Sequence, residues 1–223
     1  MLLHCLPPAP PRPAAREVRI YSCGFSNLGS VSGWTTKKLS GIASRAWSDR
    51  KWQPSEHEFT IAVGTAMDEC GAGRGTVLMC NCLPFHDPAS FTDHNGFDIQ
   101  VIRGVFDKWP HQLDQWFRQI WDEIYSYEVG PVHSFCYCRA GKHRSVATSW
   151  LLHCALLLNG LDVRVEHICR HWWGYTNCQR ELRREAQRTR TPRRACPVCS
   201  SADTAEHKKI ARAVAQMWRG TFL

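Results

Sequence analysis

Residues 134–158, SFCYCRAGKHRSVATSWLLHCALLL, pass from an apolar stretch through a short polar loop into a second, longer apolar stretch. The first stretch has the length of a buried strand. The second is apolar on most sides at helical spacing, so it too must be covered. A buried strand that leads straight into a buried helix confines the chain to a sheet with helices packed on it. The loop between them is Cys138, Arg139, Ala140, Gly141, Lys142, His143, Arg144 and Ser145. At a helix N-terminus it presents backbone N–H groups and the positive end of the helix dipole, so it is an anion site before any side chain is considered. Arg144 adds a planar two-pronged donor suited to phosphate, and Arg139, Lys142 and His143 add further cationic or donor groups. The plainer alternative is a basic turn that merely begins a buried helix. Against it stands the density of the loop, which holds a thiol, a hydroxyl, a glycine and four such side chains in eight positions.

The hydrophobic pattern around this unit alternates strands and helices. Residues 17–23, EVRIYSC, alternate like a first strand, and 24–27 read as the turn that ends it. Residues 28–57 have no clean period and are read as the start of a long insertion, 28–75, with room for one helix before a second, short one at 57–70 that stops at Gly71 and Gly73. TVLMCNC at 76–82 is the continuous apolar run of a central strand, broken by Leu83, Pro84, Phe85, His86, Asp87 and Pro88. Residues 89–109 give no firm element. From Pro110 onward, Leu113, Trp116, Phe117, Ile120, Trp121 and Ile124 recur at three and four, the stripe of an amphipathic helix. Strands at 132–137 and 161–167 flank a helix at 145–158. This order predicts an α/β class: a mainly parallel sheet with flanking helices, a phosphate-binding loop at a helix N-terminus, and a small Cys-containing C-terminal extension. In such sheets ligands sit outside the carboxyl ends of the strands, so His86, Asp87, Asp98 and His167 are expected to wall the site. Turn capping is the alternative for Asp87 and Asp98. The domain reading is a disordered Pro-rich lead at 1–16, the α/β domain at 17–170 and a basic extension at 171–223.

The twelve cysteines require an account, because a chain of 223 residues buries a core without disulfide staples. The opening residues carry prolines at 7, 8, 10, 11 and 13 rather than an export signal, and no apolar run approaches the roughly 18 residues of a membrane span. The expectation is a soluble intracellular protein with reduced thiols and no membrane partner. Cys80, Cys82, Cys136 and Cys154 lie in apolar runs and read as small core residues. Cys196 and Cys199 form a C-x-x-C pair, and with Cys178 and either Cys169 or His207 they would hold a structural zinc that pins the basic extension. Unpaired thiols are the alternative. A net charge of +8 favours anionic partners, phosphorylated small molecules or nucleic acid. Much of it lies in 179–194, with seven arginines against two glutamates, which reads as a solvated helix face or tail, or else as an RNA-binding arm. Oligomeric state stays open, a homo-oligomer included.

Cys138, five residues, Arg144 and Ser145 reproduce the pattern of the cysteine-dependent phosphatases. That resemblance implies Cys138 as thiolate nucleophile, Arg144 with the loop amides as phosphate holders, Ser145 as the group assisting thiolate departure, and Asp107 as general acid. Tyr137 stands where those enzymes usually carry His. The same loop also resembles that of the C-terminal domain of the RNase adapter protein RapZ, through Cys138, Gly141, Lys142, His143, Arg144, Ser145 and Val146. This second resemblance continues in order over about 17–170. Gly24-Phe25 resembles that family's Phe-Gly-Phe segment, while Leu83-Pro84 with His86-Asp87-Pro88 resembles a shortened Leu-Pro-Asn-Pro-His loop. Gly96-Phe97-Asp98 resembles its Gly-Leu-Asp, and 163–167 the strand ending in its Arg-His pair. Asn81 and Met79 stand where the family has Arg and Asp. The resemblance implies a non-catalytic domain that binds a phosphate ligand, a phosphosugar or nucleotide, with RNA as a larger partner. No Walker A motif occurs in this chain, so ATP hydrolysis is not expected. A cysteine-dependent phosphatase remains the alternative.

Overall fold

In β3 (Val132–Cys138) every residue is buried, and alternate side chains enter different cores. Val132, Cys136 and Cys138 join one core and Phe135 and Tyr137 the other, which is the period of two that a strand imposes. The computed structural model describes residues 15–85, 93–126, 128–192 and 195–219. With β1 (Val18–Gly24), β2 (Thr76–Asn81) and β4 (Val163–His167), β3 forms a sheet in the order β2-β3-β1-β4, every pairing parallel. The α/β class and parallel sheet are as the pattern predicted. The two strands buried on both faces are the central pair, and their carboxyl ends open on one edge of the sheet.

One face is covered by α3 (Ile99–Lys108), α4 (Pro110–Ile124), α5 (Arg144–Leu158) and α8 (Ala205–Arg219). The other is covered by α1 (Lys37–Ser48) and α2 (Glu56–Cys70). Several of these helices begin where the sequence supplies a cap or a first-turn proline. Thr36 Oγ1 accepts from Leu39 N–H and Ser55 Oγ from Glu58 N–H, and Pro110 occupies the first turn of α4. The segment 28–75, expected to be an insertion, is therefore a whole helical layer of the domain. Its signal is faint because α1 offers the core only Leu39, Ile42, Ala43 and Ala46 among lysines, serines and arginines. The stretch 89–109, read without an element, holds α3, whose buried side is just Val101, Ile102 and Val105.

The C-terminal extension contains α6 (Asn177–Thr189), the single turn α7 (Pro197–Ser200) and α8. Arg180, Arg183, Arg184, Arg188 and Arg190 are exposed, so the basic run is a solvated helix face. α8 does more than end the chain: Ile210, Val214 and Trp218 enter the main core, and the Trp218 ring stacks on Phe117 at 4.3 Å between centroids. Among the described residues no helix is long and apolar enough to cross a membrane. Because Trp218 is 1% exposed inside a shared core, Trp218→Ala is expected to lower stability by about 3–5 kcal/mol. Urea unfolding checks this, and a loss below about 1 kcal/mol would place α8 outside the cooperative core.

Candidate functional site

The loop 138–145 takes its shape from β1. Past the last strand pair, Gly24 with Cys138, the chain after β1 continues to bond: Phe25 N–H donates to Cys138 O at 3.1 Å and Ser26 N–H to Arg139 O at 3.0 Å. Asn27 Nδ2 donates to Ala140 O at 2.9 Å, and Trp173 Nε1 to Gly141 O at 3.2 Å. Four successive carbonyls are thus held toward the outside of the loop. Across a trans peptide the next N–H points the opposite way, so these anchors turn the following amides toward the loop's concave side. The Gly141 N–H does so observably, lying 3.3 Å from Cys138 Sγ. Gly141 has φ of +70°, and a Cβ on it would overlap the Gly24 backbone, so a glycine is needed on each side of this contact. Cys138 is 3% exposed at the floor, with Ser145 Oγ 3.3 Å from its sulfur in the first turn of α5.

The cationic side chains are placed differently from the expectation that all of them face phosphate. Arg139 reaches the carbonyls of Ala46, Asp49, Arg50 and Trp52, bracing the end of α1 and the turn after it, with its guanidinium over the Phe25 ring. Arg144 Nη1 donates to Leu83 O at 2.8 Å and Phe85 O at 2.6 Å, tying the exit of β2 to the loop. His143 Nε2 donates to His94 O at 2.8 Å. Lys142 is half-buried, and its carbonyl accepts from Gly96 N–H at 2.7 Å.

Of the expected walls, Asp98 caps α3 through Gln100 N–H at 2.8 Å and lines a groove of about 790 Å³ beside Pro197, Asp203 and His207, so the capping alternative describes it. His167 lies between Phe97 and Trp173, with Nδ1 2.6 Å from Ser22 Oγ, and Trp173 in turn bonds the loop at Gly141 O. His86 and Asp87 lie outside the described residues. Asp107 is exposed near the C-terminal end of α3, about 13 Å along the helix from the end beside the loop.

A second cluster adjoins the loop. His94, Cys178, Cys196 and Cys199 each offer one donor atom, and all four atoms lie within 4.8 Å of one another. Cys178 and Cys199 sulfurs are 3.5 Å apart, and His94 Nδ1 is 3.6 Å from Cys196 Sγ and 3.7 Å from Cys199 Sγ. These four residues can hold a metal. Three are the cysteines expected from the sequence, but the fourth is neither Cys169 nor His207. The His207 ring bonds Thr204 Oγ1 at 2.6 Å and Phe97 O at 2.9 Å, and Cys169 is buried against Gly24 N–H. His94 went unrecognised because it sits far upstream in a segment with no periodic pattern, and only the fold brings it beside α6 and α7. Burial pushes the Cys199 thiol up to about 12 and raises Cys178 as well.

No protein-family model matches the chain, and no curated protein and no solved structure matches it.

Two imidazoles make stability depend on pH. Burial, aided by Arg170, lowers His167 to about 4, and burial with Arg19 lowers His133 to about 4. The unfolded chain takes up these protons near the ordinary value of about 6.5 while the native state refuses them, so their contribution is complete above that pH. Stability is therefore expected to fall as pH drops from about 6.5 toward about 4. Urea midpoints compared at neutral and mildly acidic pH check this, and His167→Gln should reduce the difference.

Proposed function

We propose that the 138–145 loop is a non-catalytic site for a phosphate-bearing ligand, a phosphosugar or a nucleotide, in a domain of the kind found at the C-terminus of RapZ. The observation that carries the reading is the outward anchoring of four successive carbonyls, which gathers loop amides around Cys138 at the N-terminus of α5. Amides at a helix start stabilise an anion without a neighbouring cation. The exposed arginines of α6, which starts at the same edge of the sheet, support RNA as a larger partner. A second reading, a cysteine-dependent phosphatase, is favoured by one feature: the Gly141 N–H and the Ser145 hydroxyl both lie against the Cys138 sulfur. The distance of Asp107 weighs against it. Inorganic phosphate and sugar phosphates are expected to raise the melting temperature, with no turnover of an aryl phosphate. Gly141→Ala should weaken phosphate binding at least about tenfold, since a side chain there displaces the loop from Gly24. Aryl phosphate turnover that disappears in Cys138→Ser would overturn the non-catalytic reading in favour of the phosphatase. No response to any phosphate would overturn both.

The same reading takes the His94 cluster as a structural zinc site in an intracellular, reducing compartment. Its supports are the three thiols with one imidazole and donor spacings that suit tetrahedral zinc with bonds of about 2.0–2.3 Å. The eleven described cysteines are all free thiols, as such a compartment requires. Metal analysis is expected to return about one zinc per chain, abolished in Cys196→Ser. Protein purified without zinc, and taking none up, would overturn it.

A further inference from the structure

The loop is held in two halves by different parts of the molecule. Carbonyls 138–141 are anchored by the continuation of β1 and by Trp173. Lys142 and His143 are anchored by residues 94–96: Gly96 N–H donates to Lys142 O at 2.7 Å, and His143 Nε2 donates to His94 O at 2.8 Å. The close approach is mutual, because a Cβ on Gly96 would overlap His143 O and press on Val146. Residues 93–98 lie in no strand or helix, so no ladder or helix of their own fixes them.

Phe97 and Asp98 are held by His207, Trp173 and the start of α3, and residues 93–95 by the cysteine–histidine cluster and its frame. His94 supplies Nδ1 to the cluster from its side chain and the carbonyl that receives His143 from its backbone. Asn95, fully buried, donates from Nδ2 to Cys199 O at 3.0 Å, and Cys178 N–H donates to Asp93 O at 3.1 Å. Asn177 Nδ2 adds a bond to Asp93 Oδ1 at 2.9 Å. Three consecutive residues, 93–95, thus bond to the cluster or its immediate frame, and two of the next positions in space belong to the loop. A single residue, His94, is shared by both sites.

We infer that metal occupancy at His94, Cys178, Cys196 and Cys199 controls how tightly the 138–145 loop holds an anion. The inference rests on the phosphate-loop and metal-site readings and adds the coupling between them. With an ion bound, His94 and the three thiols are locked into one tetrahedron, and residues 93–96 are a rigid buttress for Lys142 and His143. With the ion removed, the four donors lose their common partner, and the buttress loosens. The amides at the helix end of the loop then lose the arrangement that binds an anion, whereas those held by β1 keep theirs. Coupling is reciprocal in binding free energy, so an anion in the loop also tightens the metal.

The test uses the full chain in three states: zinc-loaded, stripped by a chelator, and reloaded. Inorganic phosphate is the probe, and amide hydrogen exchange is the second readout. Phosphate affinity is expected to fall at least about tenfold on stripping, within the usual range of coupled sites, and to return on reloading. Exchange should rise at 93–98 and 142–145 while the strand residues 134–138 stay protected, which shows that the domain remains folded. His94→Ala should imitate stripping, and His94→Cys, which restores a fourth ligand, should recover phosphate affinity. Equal affinity with and without zinc, or unchanged exchange at 142–145 in the stripped chain, overturns the coupling alone. A zinc-loaded chain that ignores phosphate overturns the phosphate reading and the coupling together, and a chain that binds no zinc overturns the metal reading with it.

Discussion

The pairing of β1 with β3 does not stop where the strands end, and the rest of the candidate site depends on that continuation. The register runs from Val18 with Val132 to Gly24 with Cys138, and the next residues of each chain go on bonding as the second chain turns into the loop. A turn between a strand and a helix normally has freedom in which way each peptide faces. Here the sheet removes it, because every carbonyl from 138 to 141 has an outside donor and a planar peptide cannot then turn its following N–H outward. Two glycines in contact make the approach possible, and Phe25, immediately after, packs with Phe59 and Trp52. The α1–α2 layer therefore supports the loop from below, by holding the segment that holds it.

This anchoring changes the role of the loop's positive charges. Helix ends leave carbonyls without partners, and a cation placed there is stabilising. Arg139 serves the end of α1 in that way, and Arg144 performs the same service for the turn after β2. Both are braces that lock neighbouring elements onto the loop. An anion in the loop would be stabilised chiefly by fixed dipoles that were oriented during folding, with the surrounding excess of positive charge raising its local concentration.

The strand, loop and helix of 134–158 were legible because a long apolar run has few ways to be satisfied, and the parallel order followed from the alternation of such runs. β4 begins within two residues of its expected start for the same reason. Of the two helices over Tyr21 and Phe135, α2 was legible from its stop at Gly71, whereas α1 was not placed, since it buries small residues on a narrow stripe and its period is lost among polar neighbours. Nor was the destination of Arg139, because guanidinium beside a phosphate-like loop and guanidinium bracing a helix end look the same in one dimension. His94 shows the limit most sharply. The cysteines located three members of the cluster that can hold a metal, while the fourth is contributed by a remote turn that nothing local distinguishes from an ordinary polar loop.

The C-terminal segment also has a different status from the one its composition suggests. It is attached at three separated places: Trp173 on Gly141, the cluster against residues 93–95, and α8 along α5 and α3. The first two attachments lie at the carboxyl edge of the sheet, and α6 begins between them. Its exposed arginines consequently start from a point fixed relative to the loop, and their field is added to the loop's by geometry instead of by chance encounter. A freely moving tail with the same charge would spread that field over a wide volume and lose part of any binding free energy to ordering. Held at its first turn, the helix presents its charge from a prepaid position, so the attachment of α6 to the fold, more than the number of its arginines, sets what this face can offer an anionic partner.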